Sequence, residues 1–484
     1  MKKMMLMALV LAVVAGGTLP ATAMEVDFSG SFELEGILNS SEGMDEDDAT
    51  SDFRQMRLRV QTEFTITDDM KLITRFDALE KILSSKDSSF TITQNDTGWD
   101  SDDDDDNIDF DRAYLSWKSP IGLFQLGRME GVTWGTSFCD DEADTDRIKY
   151  ILPIALGSGT FYLSAVAEKV GEYDKGTEDS DEDNDKYYIG ATYVAKTYRT
   201  GLLTALYNFK TFQDPGQALA TEVLYAYNKS DSDTSLNPAM SVTEAYSLYT
   251  TTGLSCEGKV FLLAPYFEGK FGDFSFTTEL DYIIGTIEYD TDNADDKDLE
   301  AFAYFVEGAY DIGPATVQLG FAHSKGDADY TDDKIGSMSY VSPGVDWAKL
   351  LILQDDTTGM NTTLANGLGN HVGNGFGSAS TAMCDGYKLL YAGVDYVVTD
   401  SISLGFIAGM SWADEVPDGM DYDDDQGVEY DASFTWKLTK NLEYKAVAAY
   451  LDGGDYWKTR RTGAVESNID PEIYTLYHKL TLTF

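Results

Sequence analysis

Chemistry at a protein site needs a few reactive residue types within reach of one another, and this chain is short of them. Its three histidines, His323, His371 and His478, and its three cysteines, Cys139, Cys256 and Cys384, stand on unrelated segments. No Cys or His pairing has the spacing of a metal site, and the odd, sparse cysteine count sets no disulfide framework, leaving a single bridge among the three open. His323 and Ser324 are neighbours, but neighbours on a strand point to opposite faces, so they do not make a nucleophile and its base. No nucleophile, base and orienting group converge, which argues against an enzyme. What recurs instead is fixed charge. Arg57 and Arg59 in "MRLRVQTEFTI", Arg75 in "KLITRFDALE" and Arg112 in "IDFDRAYLSW" all fall on the polar parity of consecutive alternating segments. Such a set makes and breaks no bonds; it orients water and polar solutes beside it. Glu33, Glu35, Glu63 and Asp77 share that wet face and offer the plainer alternative, in which the arginines are neutralised in cross-strand ladders.

The elements that must carry these charges have a period of two. In "EVDFSGSFELEG" (25 to 36) Val26, Phe28, Phe32 and Leu34 alternate with Glu25, Asp27, Ser29, Ser31, Glu33 and Glu35. The same pattern runs through "DFSFTTELDYII", "ISLGFIAGM" and "NLEYKAVAAY", each predicting a strand with one apolar and one wet face. The connections alternate as well. Short joints rich in Gly, Pro, Asp or Asn occur at 67–69, 119–122, 156–159, 196–200, 270–273, 311–314, 398–401 and 438–441. Between them lie long polar segments, about 38–52, 83–107, 130–147, 171–186, 213–258, 289–298, 325–385, 413–426 and 452–471. Short turns at one end and long loops at the other predict an all-β, transmembrane, antiparallel up-and-down barrel with short periplasmic turns and long extracellular loops. Eight hairpins plus one strand at each terminus make eighteen strands, or sixteen if one apolar segment belongs to a loop. The final "YTLYHKLTLTF" (474 to 484) then has to pair with the first strand, because lipid leaves no room for an open edge. A soluble β-sandwich would account for neither the loop asymmetry nor that aromatic end.

Residues 1–23, "MKKMMLMALVLAVVAGGTLPATA", have the basic, apolar and small-residue layout of a cleaved secretory signal peptide, leaving 24–484 as the barrel domain. The formal charge of −49 excludes a nucleic-acid binder. Much of it sits in long loops, in "DEDD" (45–48), "DSDDDDD" (100–106), "EDSDEDND" (178–185) and "DYDDDQ" (421–426), which read first as solvated loops and, more sharply, as weak Ca2+ or Mg2+ ligands. No EF-hand is present, since Gln426 stands where its turn glycine belongs and Ala432 where its bidentate glutamate belongs. Two loop segments, "SPGVDWAKLLILQ" (342–354) and "SVTE" (241–244), carry helix-start signals.

The stretch "IDFDRAYLSWKSPIGLFQLGRMEG" (108–131), followed by "DRIKYILPI" (146–154), resembles trimeric outer-membrane porins of the general diffusion type, most of all the homotrimeric porins of sulphate-reducing bacteria. "KLITRFDALE" (71–80), "PYFEGKFG" (265–272) and the last strand share the resemblance. It implies a third loop folded into the channel, with acidic residues opposite wall arginines. Carried onto this chain, the acids are Glu130, Asp140, Asp141, Glu142, Asp144 and Asp146, and the basic wall is Arg57, Arg59, Arg75 and Arg112. Arg128 joins them only if a bulge intervenes, because it shares parity with Phe124 and Leu126. His478 lies on the outward parity of the last strand, where a polar ring suits a subunit interface better than lipid. The implied protein is a homotrimer in outer-membrane lipid, without a cofactor, passing small hydrophilic solutes and ions with a modest cation preference. A channel selective for sugars or anions is the alternative, and a greasy aromatic slide or a lysine-rich constriction that would favour it is not visible.

Overall fold

The computed structural model of the chain describes residues 25–40, 51–83, 108–131, 133–138, 144–172, 183–211, 256–289, 296–328, 333–336, 347, 349–353, 386–416, 423–456 and 472–484. The strands are β1 (Glu25–Asn39), β2 (Ser51–Thr67), β3 (Met70–Ile82), β4 (Ile108–Ser119), β5 (Gly122–Glu130), β6 (Asp144–Leu156), β7 (Gly159–Glu172), β8 (Asp183–Val194), β9 (Tyr198–Thr211), β10 (Cys256–Phe271), β11 (Phe274–Tyr289), β12 (Lys297–Ile312), β13 (Ala315–Ser324), β14 (Lys334–Ile335), β15 (Tyr387–Thr399), β16 (Ile402–Trp412), β17 (Asp425–Lys437), β18 (Leu442–Asp452) and β19 (Glu472–Thr483). Each pairs antiparallel with the next, except that β13 pairs directly with β15 and the two-residue β14 lies parallel against the end of β12, off the wall. The wall therefore has eighteen strands, the larger of the two expected numbers.

The wall is closed. β19 runs against β1 from Ser31↔Thr483 to Asn39↔Thr475, and Gly30 and Phe484 exchange both backbone hydrogen bonds, at 3.0 and 3.1 Å. Residues 1–23, expected to be a signal peptide, lie outside the described residues, as do "SVTE" and most of the acidic loop stretches. Closure needs close approach at the seam. A Cβ on Gly30 would collide with the Arg59 carbonyl of β2 and come 2.9 Å from the Phe484 ring. Gly30→Val is expected to destabilise the barrel by about 1–3 kcal/mol, the usual cost of overpacking. Loss of the compact, heat-modifiable gel band at a lower temperature than wild type checks this.

Alternation sorts the side chains into two environments. The outward parity is apolar and bare: Phe28, Ile148, Ile189 and Leu319 are 57–65% exposed, and the same face carries Leu206, Ile284, Leu404 and Leu476. Bare Phe, Ile and Leu all round a barrel would be a costly surface in water and are the expected surface in hydrocarbon. The inward parity is mixed. On β1 to β4 it is charged, while on β11, β12, β13 and β15 it holds Ile283, Leu299, Ala301, Phe305, Ala322, Leu389 and Tyr391, all 2% exposed or less. Wall residues facing a lumen are buried this deeply only if loops fold in over them.

The third loop is one of those. Leaving β5 at Glu130, it places the Trp134 indole N–H 2.8 Å from the Ala264 carbonyl of β10. Thr136 donates both its backbone N–H, at 2.7 Å, and its hydroxyl, at 2.5 Å, to the Glu279 carboxylate of β11. Phe138 packs against Phe305 of β12, ring centroids 5.0 Å apart. A segment that leaves β5 and lands on β10 to β12 has to cross the lumen. Gly135 makes the landing possible: its φ is +66°, and a Cβ there would come 2.8 Å from both oxygens of Glu279. The helix-start signal at 342–354 resolves differently from its expectation, since the described residues 349–353 form a turn.

Candidate channel constriction

The charged lumen face is built by cross-strand neighbours. Arg57 of β2 lies opposite Glu33 of β1 in the register and reaches it at 3.1 Å. Lys479 of β19 completes that group, 3.0 Å from Glu33 and 2.8 Å from Glu35, and Glu35 also accepts from Gln55 and Tyr477, each at 3.0 Å. Arg59 faces Asp77 of β3 and grips it in bidentate fashion at 2.7 and 2.8 Å. Lys71 pairs with Glu63 nearer the turn end.

A bulge then gathers the rest. The β3–β4 register slips between Arg75 and Asp77, so Asp111 and Arg112, adjacent in sequence, both reach the lumen charges. Arg75 meets Asp111 at 2.5 Å and Asp144 at 2.8 Å. Arg112 meets Asp144 at 2.6 Å and Glu130 at 2.8 Å. Arg59 touches the same Asp111 at 3.9 Å. The result is one continuous ladder in which the carboxylates of Asp77, Asp111, Asp144 and Glu130 alternate with the guanidiniums of Arg59, Arg75 and Arg112. Beyond it, Arg147 of β6 pairs with Glu168 of β7 and donates to the Glu130 carbonyl at 3.0 Å.

Several sequence expectations sort out here. Arg57, Arg59, Arg75 and Arg112 are brought together on the lumen side, and Asp144 and Glu130 reach them. Each arginine has an acidic partner within hydrogen-bond distance, so the wall is a compensated ladder and not a bare basic surface. Arg128 does not join it. Its register runs unbroken, opposite Ala113 on one side and Asp146 on the other, and it shares the outer face with exposed Leu126 and Ile148. Asp146 goes outward with it, 3.7 Å away, and both side chains are about half exposed. Asp140, Asp141 and Glu142 lie outside the described residues. Alternation alone missed Asp111, because only the bulge turns it inward. Lys479 and Glu279 stand on the inward parity of their strands and were legible as wet-face residues, though not as partners. His323 and Ser324 do face opposite ways: the His323 ring lies against Phe302 and Tyr304, and Ser324 is buried on the inner face.

No family profile and no curated protein matches this sequence. Among solved structures, the chain is similar to Pseudomonas aeruginosa OpdK, crystallised with vanillate, at 10% identity over 95% of this chain and 98% of that one, with a TM-score of 0.47. It is similar to Salmonella typhi OmpF, in complex with daunomycin, at 11% identity over 95% and 98%, TM-score 0.41. The outer-membrane channel DcaP of Acinetobacter baumannii is similar at 11% identity over 96% and 99%, TM-score 0.42.

What the ladder can do follows from its compensation. Opposite charges 2.5 to 3.1 Å apart cancel at a distance and leave a strong transverse field close to the wall. Water beside it is aligned, and a polar solute replaces that water at little cost while an apolar one does not. Part of the ladder keeps solvent access, with the side chains of Arg59 and Asp111 20% and 17% exposed and Glu130 about half exposed, while Arg75 and Asp77 are buried behind them, so the field reaches the lumen through the exposed members.

Proposed function

We propose that the chain is an outer-membrane porin, a water-filled channel for passive diffusion of small hydrophilic solutes and ions. The observation that carries this reading is the third loop, folded across the lumen onto Glu279 of the far wall while Asp144 and Glu130 at its two ends meet Arg75 and Arg112. A barrel that is greasy outside and charged inside, narrowed by its own loop, is built to pass water-soluble molecules and reject large or apolar ones. Purified protein added to a planar bilayer should give stepwise currents that rise linearly with KCl concentration. Absence of current steps overturns the reading, and saturation by a sugar or an organic anion would replace it with a substrate-selective channel.

The ladder holds one more carboxylate than guanidinium, which supports a modest preference for cations. Export through cleavage after Ala23, assembly as a homotrimer and weak divalent-cation binding by the acidic loops belong to the same proposal. For the trimer, the supporting feature is His478, whose ring lies on the outer face over Gly36 and 6.0 Å from the Tyr444 ring. A photo-crosslinking residue at position 478 is expected to capture a second copy of the chain in native membranes; capture of lipid alone would remove His478 from the interface.

A further inference from the structure

A second segment enters the lumen, from the long connection between β13 and β15. Its turn at 349–353 presents three successive backbone amides to two wall carboxylates of β17. Leu351 N–H donates to Asp431 at 2.9 Å, and Ile352 and Leu353 N–H donate to the two oxygens of Glu429 at 2.6 and 2.8 Å. Both acids lie on the inward parity of β17, and Glu429 is fully buried. Two neighbouring carboxylates in an otherwise apolar packing site are costly, and main-chain donors offset part of that cost by occupying both oxygens of Glu429 and one of Asp431. Because the donors are main-chain, the grip fixes where the turn sits whatever its side chains are.

Those side chains extend the grip across the barrel. Leu350 lies on Gly409 of β16, so closely that a Cβ there would come 2.6 Å from it. Lys349 pairs with Glu307 of β12 at 2.8 Å, and Tyr391 of β15 donates to the same carboxylate at 2.6 Å. Trp347 packs against Phe305 at 5.2 Å and edge-on against Phe138 of the third loop at 5.1 Å. The two inward segments therefore touch, one pinned on Glu279 and the other on Glu429 and Asp431. They cover the inner face of β11 to β17, whereas on the facing wall Arg59, Asp111 and Glu130 of the ladder stay partly exposed.

We propose that Glu429 and Asp431 are specificity-determining residues of the channel: they clasp this turn into the lumen beside the third loop, and the two together confine solutes to the charged ladder on the facing wall. The inference rests on the channel reading and adds to it a named determinant that touches no solute. Its test uses the full-length protein with Cys139, Cys256 and Cys384 replaced by serine and Leu350→Cys added as a reporter, refolded into liposomes and planar bilayers. With the clasp intact, the reporter thiol is expected to resist a membrane-impermeant maleimide. In E429L/D431V, and to a lesser degree in E429Q, it becomes reactive, single-channel conductance rises about twofold or more, and charge selectivity falls. E429Q, which keeps the side-chain shape, guards against a double variant that does not insert, and the heat-modifiable gel band confirms a folded barrel in each case. Protection of the reporter thiol in every variant overturns the clasp. Reactivity without any change in conductance or selectivity overturns the role in specificity. A starting protein that carries no current overturns the channel reading itself, a failure told apart by the reporter still responding to the anchor changes.

Discussion

Replacing Asp144 with asparagine is expected to move the reversal potential across a KCl gradient toward chloride. Asp144 lies between Arg75 and Arg112, at 2.8 and 2.6 Å, with its side chain 10% exposed. Asparagine keeps the shape and one acceptor oxygen but removes the charge, so the ladder that held one carboxylate more than its guanidiniums becomes balanced, with two arginines each short of a partner. Arg75 retains Asp111 and Arg112 retains Glu130, which is why the wall is expected to survive the change. Exposed charges are screened beyond about 8–10 Å at ordinary salt, but in the proposed channel a group lining the lumen would act on ions passing within a few ångströms of it. The shift should be largest at low salt and shrink as KCl rises. Asp144→Ala, which also abandons the hydrogen bonds, is expected to cost roughly 3–5 kcal/mol, as breaking a buried pair from one side does. The outward pair is the control. Asp146→Asn near Arg128 changes the formal charge equally, yet should leave the reversal potential where it was. Equal effects of the two asparagine variants, or none from either, would remove Asp144 from the conduction path.

How much of this was legible in the sequence depends on what kind of information each feature needs. The wall is written locally: the eight short joints mark real turns, and the parity of Arg57, Arg59, Arg75 and Arg112 places them on one wet surface, because alternation and turn chemistry depend only on near neighbours. Asp111 is the first failure. Its parity says outward, and the slip between Arg75 and Asp77 that turns it inward has no marker such as glycine at that point. Arg128 shows the converse, since its apolar neighbours Phe124 and Leu126 correctly exclude it from the lumen once no bulge is found there. Folding of loops into the lumen is non-local, and Arg75 and Asp144 are 69 residues apart. One trace of it is present in the sequence: over Leu299 to Val306 both parities of β12 are largely apolar, as a wall covered on both sides requires. The helix expected over 342–354 fails at 349–353 for a physical reason. The N–H groups of Leu351, Ile352 and Leu353 are taken by wall carboxylates instead of carbonyls one turn back.

The third loop's own anchor should produce a graded series of larger currents. Glu279 is almost fully buried on β11 and accepts two hydrogen bonds from Thr136 through one oxygen. Hydrogen bonds to a charged group contribute about 1.5–3 kcal/mol each, against about 1 kcal/mol for the neutral Trp134–Ala264 bond that remains. Most of the polar hold on this part of the loop therefore rests on one carboxylate. Thr136→Val removes the hydroxyl bond and keeps the amide bond, so a modest rise in conductance and in open-channel noise is expected. Glu279→Gln weakens both bonds by removing the charge. Glu279→Leu abolishes them and leaves the Thr136 N–H unsatisfied beside an apolar side chain, which favours release of the loop into water. The wall itself should persist, because β10, β11 and β12 are joined by backbone ladders that the side chain does not enter. Conductance is thus expected to rise in the order Thr136→Val, Glu279→Gln, Glu279→Leu, reaching severalfold in the last, while the temperature at which the folded band is lost changes far less. A Glu279→Leu channel with wild-type conductance and noise would show that the loop is held by packing of Phe138 against Phe305 and Trp347, and that Glu279 positions nothing.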